Sequence, residues 1–396
     1  MNFLSAGGGL IKGFFEPSAN KEGPFALLLQ PQNMDTHFYP LRVKKLIRET
    51  ADAVTVVLDI PADLKPRFHY TAGQYLNFRI DSADGEIRRS YSLCTGPETD
   101  EDLAVTVKKV EKGRMSTWMN EVLKEGDSIE VMPPMGKFTV HPEQGRAHKY
   151  VLFGGGSGIT PLMGIAKTVL HAEAGSTVYL IYANRNPDSV IFKKQWAAME
   201  QQYGGRLKVF LSYDQAPFTW FGLKGVLTAD KVQQIVSSKI GGDNPNQDYY
   251  ICGPTPMMDV VKQGLQRSGA DASRIHIEYF SAPTTDKEET PTAVGTASAE
   301  EKPFSGTAHV KVTVYGRTSD ITVKENTSIL DAAIKADLEP PYSCTVGVCT
   351  TCRARVLKGQ VEMKEREGLS DEEIAQGFVL TCQSYCRSAE VELVYE

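Results

Sequence analysis

Tyr150-Val151-Leu152-Phe153-Gly154-Gly155-Gly156-Ser157-Gly158-Ile159-Thr160-Pro161-Leu162 is an apolar run that breaks into glycines and resumes as a helical pattern. Four apolar residues in succession suit a strand buried on both faces, and Pro161 suits the first turn of a helix. Glycines between the two let backbone approach a pyrophosphate closely at the helix N-terminus. Further apolar runs recur at 178–183, 207–213, 249–252 and 275–279, mostly separated by helix-length segments. That rhythm predicts a doubly wound parallel sheet. Tight strand-to-helix turns also occur without a ligand, so the glycine run alone does not assign one.

Upstream the rhythm is different. Segments 42–50, 54–60, 74–80, 89–93, 103–110 and 128–131 are short, often alternating, and separated by Gly, Pro and Asp. They predict an antiparallel barrel or sandwich. Downstream, residues 281–308 are rich in Thr, Ser, Pro, Ala and Glu and contain no Leu, Ile, Met or Tyr, which reads as a flexible linker. After it, 310–315 and 321–323 read as a hairpin, followed by a short helix that Ser328 begins, with Asp331 three residues on. Residues 1–36 form an extension of unassigned role.

With 396 residues, the chain is long enough for two or three domains at about 150 residues each. Hydrophobic residues at 41% and charged residues at 23% are ordinary globular values, which excludes wholesale disorder. No apolar run approaches the ~18 residues that span a bilayer. The longest near the N-terminus is Phe25-Ala26-Leu27-Leu28-Leu29, and the first nine residues carry no basic side chain of a secretory signal. The expected location is cytoplasmic. Net charge is -6, unevenly spread: residues 1–280 carry 31 basic and 30 acidic side chains, residues 309–396 carry 10 and 14. With no basic stripe, nucleic-acid binding is excluded.

Seven cysteines make an odd count, and five of them fall within 43 residues, which argues against a disulfide framework. Cys344, Cys349 and Cys352 follow a C-x4-C-x2-C spacing, with 29 residues between Cys352 and Cys382. This is the spacing of plant-type [2Fe-2S] ligation, with Gly347 letting the loop turn its N–H groups toward the sulfurs. Structural zinc on Cys349, Cys352, Cys382 and Cys386 is the rival, and it leaves Cys344 unexplained. Cys94 reads as core. The seven histidines are scattered, with no pair at metal spacing.

Arg88-Arg89-Ser90-Tyr91-Ser92 lies on a strand, where Arg can fork to a phosphate, Tyr can cover a planar ring and Ser can bond a ring heteroatom. Taken in order, Arg89-Ser90-Tyr91-Ser92, the glycine turn and the cysteine set resemble the ferredoxin-NADP reductase-like flavoproteins fused to a C-terminal plant-type ferredoxin domain. The resemblance covers roughly residues 38–396. Gly113-Arg114-Met115-Ser116-Thr117 resembles that family's second FAD segment, and Gly156-Ser157-Gly158-Ile159-Thr160-Pro161 its nicotinamide-dinucleotide turn. Ile251-Cys252-Gly253-Pro254 with Met257-Met258 resembles the element beside the nicotinamide, and Glu278-Tyr279-Phe280 the closing segment. Val131-Met132-Pro133-Pro134-Met135-Gly136-Lys137-Phe138 and Arg274-Ile275-His276-Ile277-Glu278 are most similar to the reductase subunits of phenylacetyl-CoA epoxidase and related oxygenases. Thr350, where many ferredoxins place a smaller residue, and the extra Cys386 are departures.

The resemblance implies a multidomain chain: an N-terminal extension (1–36), an antiparallel β-barrel FAD domain (37–142), an α/β parallel-sheet NAD(P) domain (143–280), a flexible linker (281–308) and an α+β β-grasp ferredoxin domain (309–396). It implies FAD at Arg89, Tyr91, Ser92, Val107, Lys108, Gly113, Met115, Ser116 and Thr117. It implies a dinucleotide at Gly156, Ser157, Gly158, Ile159, Thr160, Asn184, Arg185, Cys252, Gly253, Pro254, Met257 and Phe280, and the cluster on Cys344, Cys349, Cys352 and Cys382. Tyr91, Ser92, Cys252 and Phe280 would line the reacting rings. Asn184-Arg185 stands where an NAD-binding acid is expected, which points to NADPH over NADH, with Arg185, Lys193 and Lys194 as candidates for the 2'-phosphate.

A nicotinamide gives up two electrons together and a cluster takes one, so a flavin between them converts the two currencies. The expected activity is an electron-transfer reductase passing electrons from NADPH or NADH through FAD and [2Fe-2S] to a partner oxygenase, hydroxylase or desaturase. The alternatives are a diaphorase, a reductase of a non-oxygenase metalloprotein such as a hybrid-cluster protein, and a non-enzymatic interaction module. The acidic C-terminal third predicts a partner with a basic patch.

Overall fold

The computed structural model describes residues 35–82, 85–280, 292–295 and 306–395. Residues 1–34 and most of the stretch read as a linker lie outside the described residues.

Six strands build the first unit: β1 (Tyr39–Thr50), β2 (Ala53–Asp59), β3 (Tyr75–Ser82), β4 (Gly85–Ser92), β5 (Leu103–Lys108) and β6 (Ser128–Met135). They pair antiparallel in the order β4-β3-β6-β1-β2-β5. Just past β4, Leu93 bridges Val105 of β5, so the outer strands meet and the sheet closes on itself. Alternation sends Val54, Val56, Leu58, Leu76, Phe78, Val105 and Val107 inward to one core. Pro133 and Pro134 cannot donate to the ladder, and the β3/β6 register shifts there, between Tyr75 and Asn77. Helix α1 (Arg114–Glu121) seats Met115 and Met119 in the same core.

A six-stranded all-parallel sheet follows, formed by β7 (Lys149–Gly155), β8 (Thr177–Asn184), β9 (Leu207–Tyr213), β10 (Leu223–Lys224), β11 (Gln247–Cys252) and β12 (Ile275–Glu278). Its order is β10-β9-β8-β7-β11-β12, so the strand order reverses between β7 and β11. Crevices for ligands open at the carboxyl ends of strands flanking such a reversal. Helices α2 (Ile159–Ala172), α3 (Lys193–Tyr203), α4 (Ala229–Ile235) and α5 (Thr255–Arg267) complete the doubly wound layer. Barrel and parallel sheet share one core, in which Ala53, Ala72, Cys94 and Phe138 pack with Leu162, Met163 and Ala166 of α2. Lys167 of α2 also pairs with Asp100 at 2.8 Å. The barrel and the parallel sheet therefore pack as one continuous body.

The C-terminal unit begins inside the stretch read as a linker. Strand β13 (Thr292–Gly295) pairs with a later strand and buries Val294, 4% exposed, so these four residues correct the reading of an unbroken flexible segment. One valine opposite an apolar neighbour suffices to add a strand, which composition over 28 residues does not reveal. Then come β14 (Thr307–Val314), β15 (Arg317–Lys324), α6 (Ile329–Lys335), β16 (Arg353–Lys358), β17 (Gln360–Met363), α7 (Asp371–Ala375), β18 (Phe378–Leu380), β19 (Ser384–Cys386) and β20 (Glu390–Tyr395). The main sheet runs β15-β14-β20-β16-β18, with β14 and β20 parallel and the other pairs antiparallel. Helix α6 starts where Ser328 Oγ accepts the Asp331 N–H at 3.0 Å, as the sequence predicts.

Candidate functional site

At the strand-order reversal, Gly154 of β7 lies opposite Cys252 of β11. The turns leaving these strands touch. A Cβ on Gly158 would lie 2.1 Å from the Cys252 carbonyl oxygen, and one on Gly155 would lie 2.6 Å from Met257 Sδ. Side chains are thus barred from this turn, which leaves bare backbone at the carboxyl ends of β7 and β11. Among the described residues no side chain caps the start of α2, so its first N–H groups are left for an anion. Thr160 Oγ1 donates to the Ser157 carbonyl at 3.0 Å and holds the turn. Asn184, at the end of β8, is 5% exposed, and its Oδ1 has no partner among the described residues, the kind of orphaned acceptor that a ribose hydroxyl satisfies. Arg185, Lys193 and Lys194 are exposed nearby in sequence, with Pro254 exposed and Met257 half-buried. Ile159 is sealed in the core and offers only its backbone. These groups fit a nicotinamide dinucleotide.

Strand β4 carries Arg89, exposed and donating to the Arg88 carbonyl at 2.6 Å; Tyr91, its ring 5.7 Å from Phe78; and Ser92, 3% exposed. Burial pushes the Tyr91 phenol up, so it stays protonated. Helix α1 begins at Gly113 without a side-chain cap, and Ser116 Oγ accepts the Val110 N–H at 3.3 Å to brace that entry. A guanidinium and uncapped helix N–H groups fit a pyrophosphate. Two residues in this set are placed differently from a ligand-contacting reading. Val107 is fully buried in the barrel core, its carbonyl accepting from Asn120 at 3.1 Å, and Met115 is 1% exposed in the same core. Only their backbones can serve a ligand, because alternation and the helix face turn both side chains inward. Lys108 leans toward Asp52 at 3.7 Å, Thr117 is half-buried and Phe280 is 42% exposed.

Glu278 ends β12 opposite Cys252. It is half-buried, and burial pushes its carboxyl up to about 8. Burial also raises the Cys252 thiol, with Glu278 as the second cause, so this thiol is neutral packing rather than a nucleophile. A carboxyl raised above its ordinary 4.5 binds its proton more tightly in the folded chain. That preference stabilises fully below the ordinary value and is lost as pH rises toward about 8. Glu278→Gln is therefore expected to flatten the fall in urea midpoint between these pH values; an unchanged pH slope contradicts the assignment.

The four motif cysteines fall into two pairs, Cys344 with Cys349 and Cys352 with Cys382. Cys344 Sγ accepts the N–H groups of Val346 and Cys349, each at 3.4 Å, and Cys349 Sγ accepts that of Cys344 at 3.3 Å. These bonds, with the Cys349 thiol as the largest cause, hold the Cys344 thiol below its usual range. Gly347 turns the loop at φ 79°. Among the described residues no three His, Cys, Asp or Glu side chains converge as a single ion requires. Four neighbouring thiols with N–H donors aimed at sulfur fit a two-iron cluster, which uses Cys344 where zinc on Cys349, Cys352, Cys382 and Cys386 leaves it out. Cys386 lies on β19 opposite Val361, and burial pushes it up to about 12.

A further set of residues joins the cluster loop to the barrel, and motif reading missed it. Arg88 is stacked on the Tyr342 ring, 3.9 Å from its centroid, and Tyr342 OH donates to Glu86 at 3.2 Å. Deeper in, Asn77 Nδ2 donates to Thr351 Oγ1 at 3.2 Å, Tyr75 OH meets the same oxygen at 3.3 Å, and Ser90 and Ser343 hydroxyls meet at 3.0 Å. One signal was available: Ser90 alternates with Arg89 and Tyr91 and so faces the opposite side of β4, as does Asn77 directly across on β3.

Three family models match the chain: Oxidoreductase FAD-binding domain over residues 40–140, Oxidoreductase NAD-binding domain over 152–263, and 2Fe-2S iron-sulfur cluster binding domain over 312–387. The chain is 33% identical over 362 residues to a component of the 1,2-phenylacetyl-CoA epoxidase of Escherichia coli (strain K12), covering 91% of this chain and 98% of that protein. It is 34% identical over 350 residues to the ferredoxin reductase component of 3-ketosteroid-9-alpha-monooxygenase of Rhodococcus rhodochrous, covering 87% and 93%. Among solved structures, phthalate dioxygenase reductase aligns with a TM-score of 0.54 at 24% identity, covering 90% of this chain and 98% of that one, which bears on the fold.

Proposed function

Because the chain belongs to the family of FAD, NAD(P) and [2Fe-2S] reductase components of oxygenase systems, we propose that it draws electrons from NAD(P)H and delivers them to a separate oxygenase protein. When bound, the dinucleotide supplies a hydride, FAD takes the pair and releases electrons singly, and the cluster accepts one at a time. The protein's own groups bind and orient. The bare turn at Gly155 and Gly158 and the uncapped start of α2 hold the dinucleotide pyrophosphate, and Asn184 takes a ribose hydroxyl. Arg89 and the uncapped start of α1 would hold the FAD pyrophosphate, and Tyr91 and Ser92 would bind and orient its ring system. Cys344, Cys349, Cys352 and Cys382 hold the cluster. No acid–base pair is needed, since the work is positioning.

The observation that carries this reading is spatial: the glycine turn, strand β4 and the cysteine loop occupy one compact unit, Asp35–Glu396, with the cysteine loop seated on the strand that neighbours the flavin motif. Anaerobic mixing of the purified holoprotein with NADPH and, separately, NADH tests it. Bleaching of the flavin absorbance followed by reduction of cytochrome c is expected with at least one donor. Flavin that stays oxidised with both refutes it. The surplus of acidic over basic side chains in residues 309–396 supports an oxygenase with a basic docking patch.

A further inference from the structure

Asn77 is a fully buried amide on a strand whose neighbours are apolar, and every bond it makes points toward the C-terminal unit or its own sheet. Ser90 Oγ donates to Asn77 Oδ1 at 2.7 Å. Having spent its one proton there, Ser90 can only accept from Ser343, which is 2% exposed. Asn77 Nδ2 donates to Thr351 Oγ1, with the Met132 and Met135 sulfurs as weak further acceptors at 3.5 and 3.4 Å. Tyr75 adds a second contact to Thr351, which is itself fully buried. A buried network that is satisfied throughout fixes one arrangement, and losing one member leaves the others unpaired.

Thr351 stands between Cys349 and Cys352, and these two cysteines belong to different thiol pairs. Holding its side chain therefore registers both halves of the cluster loop against β3 and β4 at once. The opposite side of the loop is open: Thr345 is exposed and Val346 is 39% exposed. We propose that Asn77 and Thr351 form an interdomain latch, a pair of positioning residues that sets the separation between flavin and cluster while leaving the Val346 edge for the acceptor. This rests on the electron path proposed above. The step it governs moves one electron from the reduced flavin to the oxidised cluster, and its rate falls steeply with separation. Neither residue is assigned to the flavin or the dinucleotide, and Thr351 reaches the metal site only through the bond its hydroxyl makes to Cys349, a bond that Asn77→Ala leaves in place.

The test uses holoprotein carrying Asn77→Ala and, from the other side, Thr351→Val, which keeps the side-chain shape. Hydrogen exchange on the segment 341–352 is expected to accelerate about tenfold in each variant, as the domain contact opens more often. After anaerobic mixing with NAD(P)H, flavin reduction is expected to keep its wild-type rate while cluster reduction slows by about tenfold or more, since small misplacements carry such costs. The double variant is expected to be no slower than Thr351→Val alone, because the contact that Asn77→Ala removes is already lost there. Unchanged exchange in both single variants, unchanged cluster reduction in both, or an equal slowing of flavin reduction each overturns the latch. A wild-type protein that NAD(P)H does not reduce would instead refute the electron-path reading, and the exchange measurement would still judge the contact.

Discussion

Replacing Cys382 with serine is expected to abolish the iron–sulfur absorbance and bring NAD(P)H-driven cytochrome c reduction down to background, while ferricyanide reduction through the flavin persists. Cys386→Ser is expected to keep the cluster. The contrast follows from placement. Cys382 lies within hydrogen-bond reach of the Cys352 thiol, whereas Cys386 sits on β19 across from Val361 with its thiol raised by burial, as for an ordinary core cysteine. Iron and sulfide analysis of the two variants decides it; loss of the cluster in Cys386→Ser alone reverses the assignment.

Gly158→Val is expected to cut flavin reduction by NAD(P)H by about 100-fold, because displacement of about an ångström at a reacting geometry carries that cost. The new Cβ would stand 2.1 Å from the Cys252 carbonyl oxygen, which is backbone and cannot swing aside, so the glycine turn must move away from β11. Overpacking of this kind also costs stability, about 1–3 kcal/mol. Gly205, where a Cβ meets nothing within 4 Å, supplies the control: Gly205→Ala leaves both quantities near wild type. Stopped-flow flavin reduction and urea unfolding of the pair measure the two effects. Equal rates in Gly158→Val and the wild-type protein contradict the role given to this turn.

What the sequence reveals about this fold is what lies close along the chain. Apolar runs ending in glycine, the cysteine spacing and the Ser328 cap are local patterns, and each has its counterpart in β7, the thiol pairs and α6. Motifs identify the backbone that nears a ligand better than the side chains that point there: Val107 and Met115 lie in matched segments, yet both side chains face the barrel core. The latch was hidden for another reason. Asn77 and Thr351 are 274 residues apart, and an asparagine in a strand is unremarkable until the domain that buries it is in place. Strand β13 likewise depends on β17, contributed by a segment far downstream.

On the proposed path, electrons enter at the parallel-sheet domain, cross the barrel and leave through the cysteine cluster. Rapid freezing after mixing the holoprotein with one equivalent of NAD(P)H, followed by electron paramagnetic resonance, tests it most directly. The account predicts that flavin bleaching precedes a reduced [2Fe-2S] signal, which then decays when an acceptor protein is added. A cluster that stays oxidised while the acceptor is reduced at full rate would contradict it.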